Sequence, residues 1–241
     1  LITIDIAQRR LRRLLLVGAA IATVWVLLPI YFLVVNAWSS QEAVNAFPKA
    51  FVPEMNHESL SFLLGFDGVL TSLVNSLIVA AITMVFSIGL GAPAGYALAR
   101  YEFRGKGTFR LLILLTRAFP LPLLALPLTV LYIRLGVDDT LVGLALVHTM
   151  LALPFAVLIT FSLFSGVPTE LEEAAWVFGC TKVQAFRRVV LPIALPGLAA
   201  SAIFAFVISW NEVFASSVLM IQNRTLTAFL LQNLDVSPMH M

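Results

Sequence analysis

The sequence predicts an all-α integral membrane protein, a multi-span helical bundle, and three observations carry that expectation. Hydrophobic residues make up 60% of the 241 and charged residues 12%, with a mean hydropathy of +0.98; a soluble domain carries about 25% charged residues. Five stretches are long and apolar enough to cross a bilayer, which takes about 20 residues. Lys and Arg fall almost wholly on one side of the spans so defined. The net charge of +2 is set by topology rather than gathered in a stripe, and points to no nucleic acid partner. The single cysteine, Cys180, leaves no intrachain disulfide. His57, His148 and His240 lack metal-ligand spacing. No G-x-x-x-x-G-K-S/T sequence occurs, so the chain has no phosphate-binding loop of its own.

Arg9, Arg10, Arg12 and Arg13 precede an uncharged run of 22 residues, Leu14 to Val35. A signal-peptide core is shorter, about 7–15 residues, so this run reads as a first transmembrane helix (14–35) that is retained. Further spans are expected over 71–99, 109–133, 140–164 and 196–222, helical because backbone polar groups cannot stay unpaired in lipid. Pro29, Pro93, Pro120, Pro122, Pro127 and Pro154 lie within these runs and are tolerated where neighbouring helices cover the freed carbonyls. Gly91 and Gly95 flank Pro93 in a GxxxG close-packing pattern. With the N-terminus inside, eleven of the fifteen Lys and Arg residues are cytoplasmic, Lys49, Arg134 and Arg224 are outside, and Arg117 is in a span. The outer loop, 36–70, mixes Pro48, Pro53 and acidic residues with an apolar stretch, Leu60 to Phe66, expected to lie along the outer face. Five spans leave the C-terminus outside and the first residue is Leu1, so the sequence is expected to be trimmed, with a sixth span beyond Met241.

The segment 165–192 concentrates charge and punctuation in the cytoplasm. Thr169 stands three residues before Glu172, a capping-box start to a helix with acidic residues in its first turn. Gly179 suits the left-handed conformation that ends such a helix. Thr181 and Gln184 make a second capping box, Arg187 and Arg188 suit the end of the second helix, and Pro192 and Pro196 mark the return to the membrane. Two short helices about a glycine elbow are expected, the first carrying an apolar stripe of Leu171, Ala174, Ala175 and Phe178. That stripe fits either packing on the chain's own bundle or close approach by a partner.

Glu173-Ala174-Ala175, three residues, Gly179, nine residues, Val189, one residue, then Leu191-Pro192 resembles the EAA motif of ATP-binding-cassette importer permeases, with Val189 standing where the family has Ile. "NSLIVA" (75–80), "GYALARYEFRGK" (95–106), "RLGVDDTLVGL" (134–144) and "SWNEVF" (209–214) are similar to the carbohydrate-uptake branch of maltose-permease G type. The resemblance implies a single transmembrane permease domain over 1–241, of the six-span type I importer class with both termini cytoplasmic. It implies a multi-pass subunit of the bacterial cytoplasmic (inner) membrane that pairs with a second, homologous permease subunit, two ATP-binding-cassette subunits and an extracytoplasmic solute-binding protein. The chain would bind no cofactor or metal, ATP and Mg being used by the ATPase partners, and would be no enzyme itself. Glu172, Glu173, Ala174, Ala175, Phe178 and Gly179 are the residues expected to couple the chain to the ATPase.

Arg117 and Glu212 are charges at bilayer depth, where ionisable groups face a cavity or a partner. Arg117 fits snorkelling to an interface, and Glu212 fits pairing with a neighbouring helix; equally, Arg117, Trp210, Asn211 and Glu212 fit a translocation path for a polyol. His148 reads as a packed core histidine. An ion-coupled secondary transporter is the alternative; it calls for inverted repeats and several membrane carboxylates, and the sequence offers one clear acidic residue within a span.

Overall fold

The computed structural model describes residues 2–45, 47, 51–52 and 55–236. Pro48, Lys49 and Pro53 of the outer loop, His240 and the expected sixth span lie outside the described residues. Among the described residues the chain is helical, without strands, as the composition predicts. Its contacts divide into two units, 1–69 and 70–241.

The first unit opens with α1 (Ile2–Ala37), whose apolar part, Arg10–Ala37, has the length and composition of a span. Two short helices follow, α2 (Gln41–Asn45) and α3 (Glu58–Gly65). The apolar stretch within 36–70 therefore folds as α3 up to Gly65, with Phe66 extended after it. Gly68, at φ +94°, then turns the chain into α4 (Val69–Arg100).

The second unit continues with α5 (Lys106–Leu115), α6 (Leu121–Leu135), α7 (Leu141–Ser165), α8 (Glu170–Val177), α9 (Lys182–Ala185), α10 (Leu191–Asn211), α11 (Phe214–Leu219) and α12 (Leu226–Val236). Spans 71–99 and 140–164 appear as α4 and α7. Gly91 and Gly95 do what their spacing predicts. A Cβ on Gly95 would stand 2.6 Å from the Phe161 backbone N, and one on Gly91 would stand 2.9 Å from the Ala156 Cβ. The Thr160 hydroxyl donates to the Gly91 carbonyl at 2.9 Å, across this α4–α7 contact. Gly197 of α10 meets the side chain of Leu163 of α7.

Two expected spans are corrected. The run 109–133 is not one helix: α5 ends in a 3-10 turn at Thr116–Ala118 and meets α6 at a bend of 86°. The cause is local. Pro120 forces Phe119 out of the helical region, to φ −78°, ψ 115°, and is itself extended at φ −68°, ψ 127°. By contrast Pro29, Pro93, Pro127, Pro154 and Pro196 lie inside continuous helices.

The run 196–222 is shifted. One helix runs from Lys182 to Asn211, and the chain breaks at Glu212–Val213 before the separate α11. The second helix of the charged loop therefore does not end at Arg187 and Arg188, and Pro192 and Pro196 do not mark its limit. A π turn at Phe186–Val190 joins α9 to α10, the Leu191 N–H reaching the Phe186 carbonyl. Ala185 and Val190 are both buried, and the buried face continues through Ala194, Leu198, Ser201, Ala205 and Ser209. With α5 and α6 counted as one bent crossing, the described helices supply five crossings by length and composition.

The unit has two apolar cores. Val79, Tyr132, Leu144, Val147, Ala215 and Leu219 form one, where α6, α7 and α11 meet α4. Ala92, Phe164, Val167, Val190, Ala194 and Leu198 form the other, beside the charged loop.

Candidate functional site

The charged loop is built on that second core. Tyr96 of α4 packs edge-on against Phe164, at 5.5 Å between ring centroids, and tilted against Phe186, at 4.5 Å. Tyr96 and Arg100 stand one turn apart on α4 and reach into the loop together. The Tyr96 hydroxyl donates to Glu172 Oε2 at 2.5 Å, Arg100 Nε is ion-paired to Glu172 Oε1, and Arg100 Nη2 donates to the Val167 carbonyl at 2.9 Å. Glu172 is 2% exposed.

This overturns the first capping box. Glu172 is engaged by α4 rather than turned back on the helix start, and the Thr169 side chain makes no cap bond. The second box is present: Thr181 Oγ1 accepts from the Gln184 N–H, and Gln184 Oε1 accepts from the Thr181 N–H. Between them Gly179, at φ +85° with open space around it, makes the elbow, a backbone conformation that side chains with a Cβ adopt at a cost.

The six coupling candidates thus divide. Glu172 and Ala175 face inward, whereas Glu173, Ala174, Phe178 and Gly179 face outward. Val177, not singled out in the sequence, is 85% exposed beside Phe178 at 88%. The two large apolar side chains stand bare beside the glycine elbow. The sequence also did not single out Tyr96 and Arg100 individually; they lie in the "GYALAR" segment.

At the other end of α10, the residues of "SWNEVF" separate. His148 is fully buried, its Nδ1 at 2.8 Å from Ser209 Oγ and its Nε2 at 3.2 Å from Glu212 Oε2. The Glu212 carboxylate also accepts from the Ala215 N–H at 2.9 Å and the Ser216 N–H at 3.3 Å. The carboxylate therefore starts α11 and fixes the break that ends α10. Asn211 donates to the Val207 carbonyl of its own helix at 2.9 Å, and Trp210 stacks on Phe206 at 5.6 Å. Glu212→Ala is expected to cost about 1–2 kcal/mol through the lost cap, read as easier unfolding of the purified protein. Unchanged stability would show that α11 does not depend on this carboxylate.

Arg117 belongs to a separate cluster. Its guanidinium donates to the Leu151 carbonyl and lies 4.2 Å from the centroid of the Phe155 ring. Around it opens an apolar groove of about 990 Å3, lined among others by Leu90, Phe109, Thr116, Met150 and Pro154. Arg117 is thus held beside α7 at the 86° bend. Phe155 stands two turns from His148 on α7, about 10 Å along the axis. The structure brings Glu212 to His148 and Arg117 to Phe155, on one helix but in different clusters.

Apolar helices of spanning length, a charged two-helix loop and two interrupted crossings define a multi-pass membrane protein. The chain belongs to the family described as "Binding-protein-dependent transport system inner membrane component", which residues 87–238 match. It is 32% identical over 198 residues to the diacetylchitobiose uptake system permease protein DasC of Streptomyces coelicolor, covering 82% of this chain and 72% of that one. It is 40% identical over 161 residues to the trehalose transport system permease protein SugB of Mycobacterium tuberculosis, covering 66% of this chain and 58% of that one. In fold it is similar to a solved bacterial ABC transporter involved in the import of the acidic polysaccharide alginate. That likeness has a TM-score of 0.76 and 22% identity, over 98% of this chain and 83% of the other.

Proposed function

We propose that the chain is a membrane-spanning subunit of an ATP-driven, binding-protein-dependent importer for a sugar or related polyol, and that it converts closure of the ATPase into alternating access. The observation that carries this is the loop 165–192: Val177, Phe178 and Gly179 project from the chain while Glu172 fastens the same helix to α4. A subunit without a phosphate-binding loop receives ATP energy through contact, and a rigid capped element transmits it as a rigid-body displacement. The partners are two ATP-binding-cassette subunits that use ATP and Mg, a second homologous permease and an extracytoplasmic binding protein. The N-terminus is cytoplasmic, by the arginine asymmetry. Membership of the family and relatives named for diacetylchitobiose and trehalose support the carbohydrate class.

The test uses the copurified complex in liposomes. Binding-protein-stimulated, vanadate-sensitive ATP hydrolysis with solute uptake is expected. Glu173→Lys and Gly179→Pro are expected to abolish uptake while the chain still reaches the membrane. Uptake at the unaltered rate in both variants would sink the assignment of the loop.

A further inference from the structure

We propose that Asp139 is a positioning residue that clasps α6 to α11, so that the helices following the two breaks move as one piece during transport. Both elements come directly after an interruption, α6 after Phe119–Pro120 and α11 after Glu212–Val213. They share a core through Tyr132, Ala215 and Leu219, with Leu128 packed against it. Their far ends are joined at one residue. Gly136, at φ +66°, ends α6, and the corner that follows holds Asp139 at φ +50°, an uncommon conformation for a residue with a side chain.

From that position the Asp139 N–H donates to the Leu219 carbonyl at 3.1 Å. Its carboxylate accepts from the N–H groups of Ile221, Gln222 and Asn223 at 2.9, 3.1 and 3.1 Å. The Asn223 side chain returns a bond to the Asp139 carbonyl at 3.0 Å. Three successive amides on one carboxylate make a small anion nest, closed by charge-assisted bonds that are stronger than neutral ones. The clasped loop continues to Arg224 and Leu226, whose backbone is bonded to Asn75 and Ser76 of α4. Breaks in spans are where halves of a bundle rotate against each other. A clasp joining the two halves beyond the breaks makes their rotation concerted. Asp138, the exposed neighbour, takes no part in these bonds.

The transport arm of the test rests on the importer reading above; the exchange arm does not. In the intact complex in lipid nanodiscs, Asp139→Ala is expected to raise amide hydrogen exchange at 221–223 tenfold or more. Asp139→Asn, which keeps one acceptor, should raise it less, and Asp138→Ala should leave it unchanged. Per assembled complex, maximal uptake should fall about tenfold in Asp139→Ala, with the half-saturating binding-protein concentration and basal ATP hydrolysis unchanged. A merely structural role would lower the amount of complex and not its rate. Unchanged exchange in Asp139→Ala overturns the clasp. Faster exchange with uptake at the unaltered rate overturns its part in transport. If Asp139→Ala does not assemble, Asp139→Asn decides both points. An unaltered complex that takes up no solute overturns the importer reading, and the exchange result still decides the clasp.

Discussion

Glu172→Ala is expected to destabilise the chain by about 3–5 kcal/mol, the usual cost of removing one partner from a buried ion pair. The pair qualifies as buried, with side-chain exposures of 10% for Arg100 and 3% for Glu172. The alanine would leave the guanidinium facing Val167 and the Tyr96 hydroxyl without its acceptor. Removing both charges is expected to behave differently. Arg100→Met with Glu172→Leu should recover most of the loss, because a well-packed apolar pair replaces a buried ion pair at little or no cost. Thermal unfolding of the complex in detergent, with the unaltered chain, the single variant and the double variant, reads both effects. A single variant as stable as the unaltered chain would show that the loop is held by its apolar core alone. A double variant as unstable as the single would place the energy in packing rather than in charge.

The second large effect falls on the α4–α7 contact. Gly95→Leu is expected to keep the chain from accumulating in the membrane, whereas Gly89→Leu should be tolerated. A Cβ at position 95 would meet Thr160 Oγ1 at 2.1 Å and the Phe161 backbone N at 2.6 Å, while nothing lies within 4 Å of one at position 89. A side-chain oxygen can rotate away, but a backbone nitrogen in the middle of α7 moves only if the helices part. Overpacking of this kind costs about 1–3 kcal/mol or more. Quantifying each variant in isolated membranes separates the two outcomes, and equal amounts of both would refute close approach at Gly95.

The sequence shows most of what is local and apolar. Spans α1, α4 and α7 are legible because an uncharged run of sufficient length has one stable form in lipid. Gly179 and the Thr181–Gln184 box are legible because each involves neighbouring residues. Thr169 obeyed the same local rule and failed it, since Glu172 found stronger partners 76 and 72 residues earlier in the chain, Tyr96 and Arg100. No spacing rule reaches that far, and the same distance hides the grip of Asp139 on 221–223. The break at Pro120 was written in the chain but masked: hydropathy registers that residues 109–133 are apolar and takes no account of their direction. Of the path candidates, Glu212 fitted in sequence either pairing with a neighbouring helix or a solute path, and no spacing rule names the partner. Its partners are the amides of the next helix and a histidine.

The wide turn at Phe186–Val190 has a consequence for how the loop and the membrane part of the chain are oriented. In an unbroken α-helix each residue advances about 100°, so Ala185 and Val190 would stand about 140° apart. Both are instead fully buried, because the π turn takes up the extra residue. The face that the elbow turns outward from the chain and the face that α10 turns to α7 are therefore set separately, with the turn as a phase adjuster between them. The fixed interval from Gly179 to Leu191-Pro192 measures an angle as well as a length.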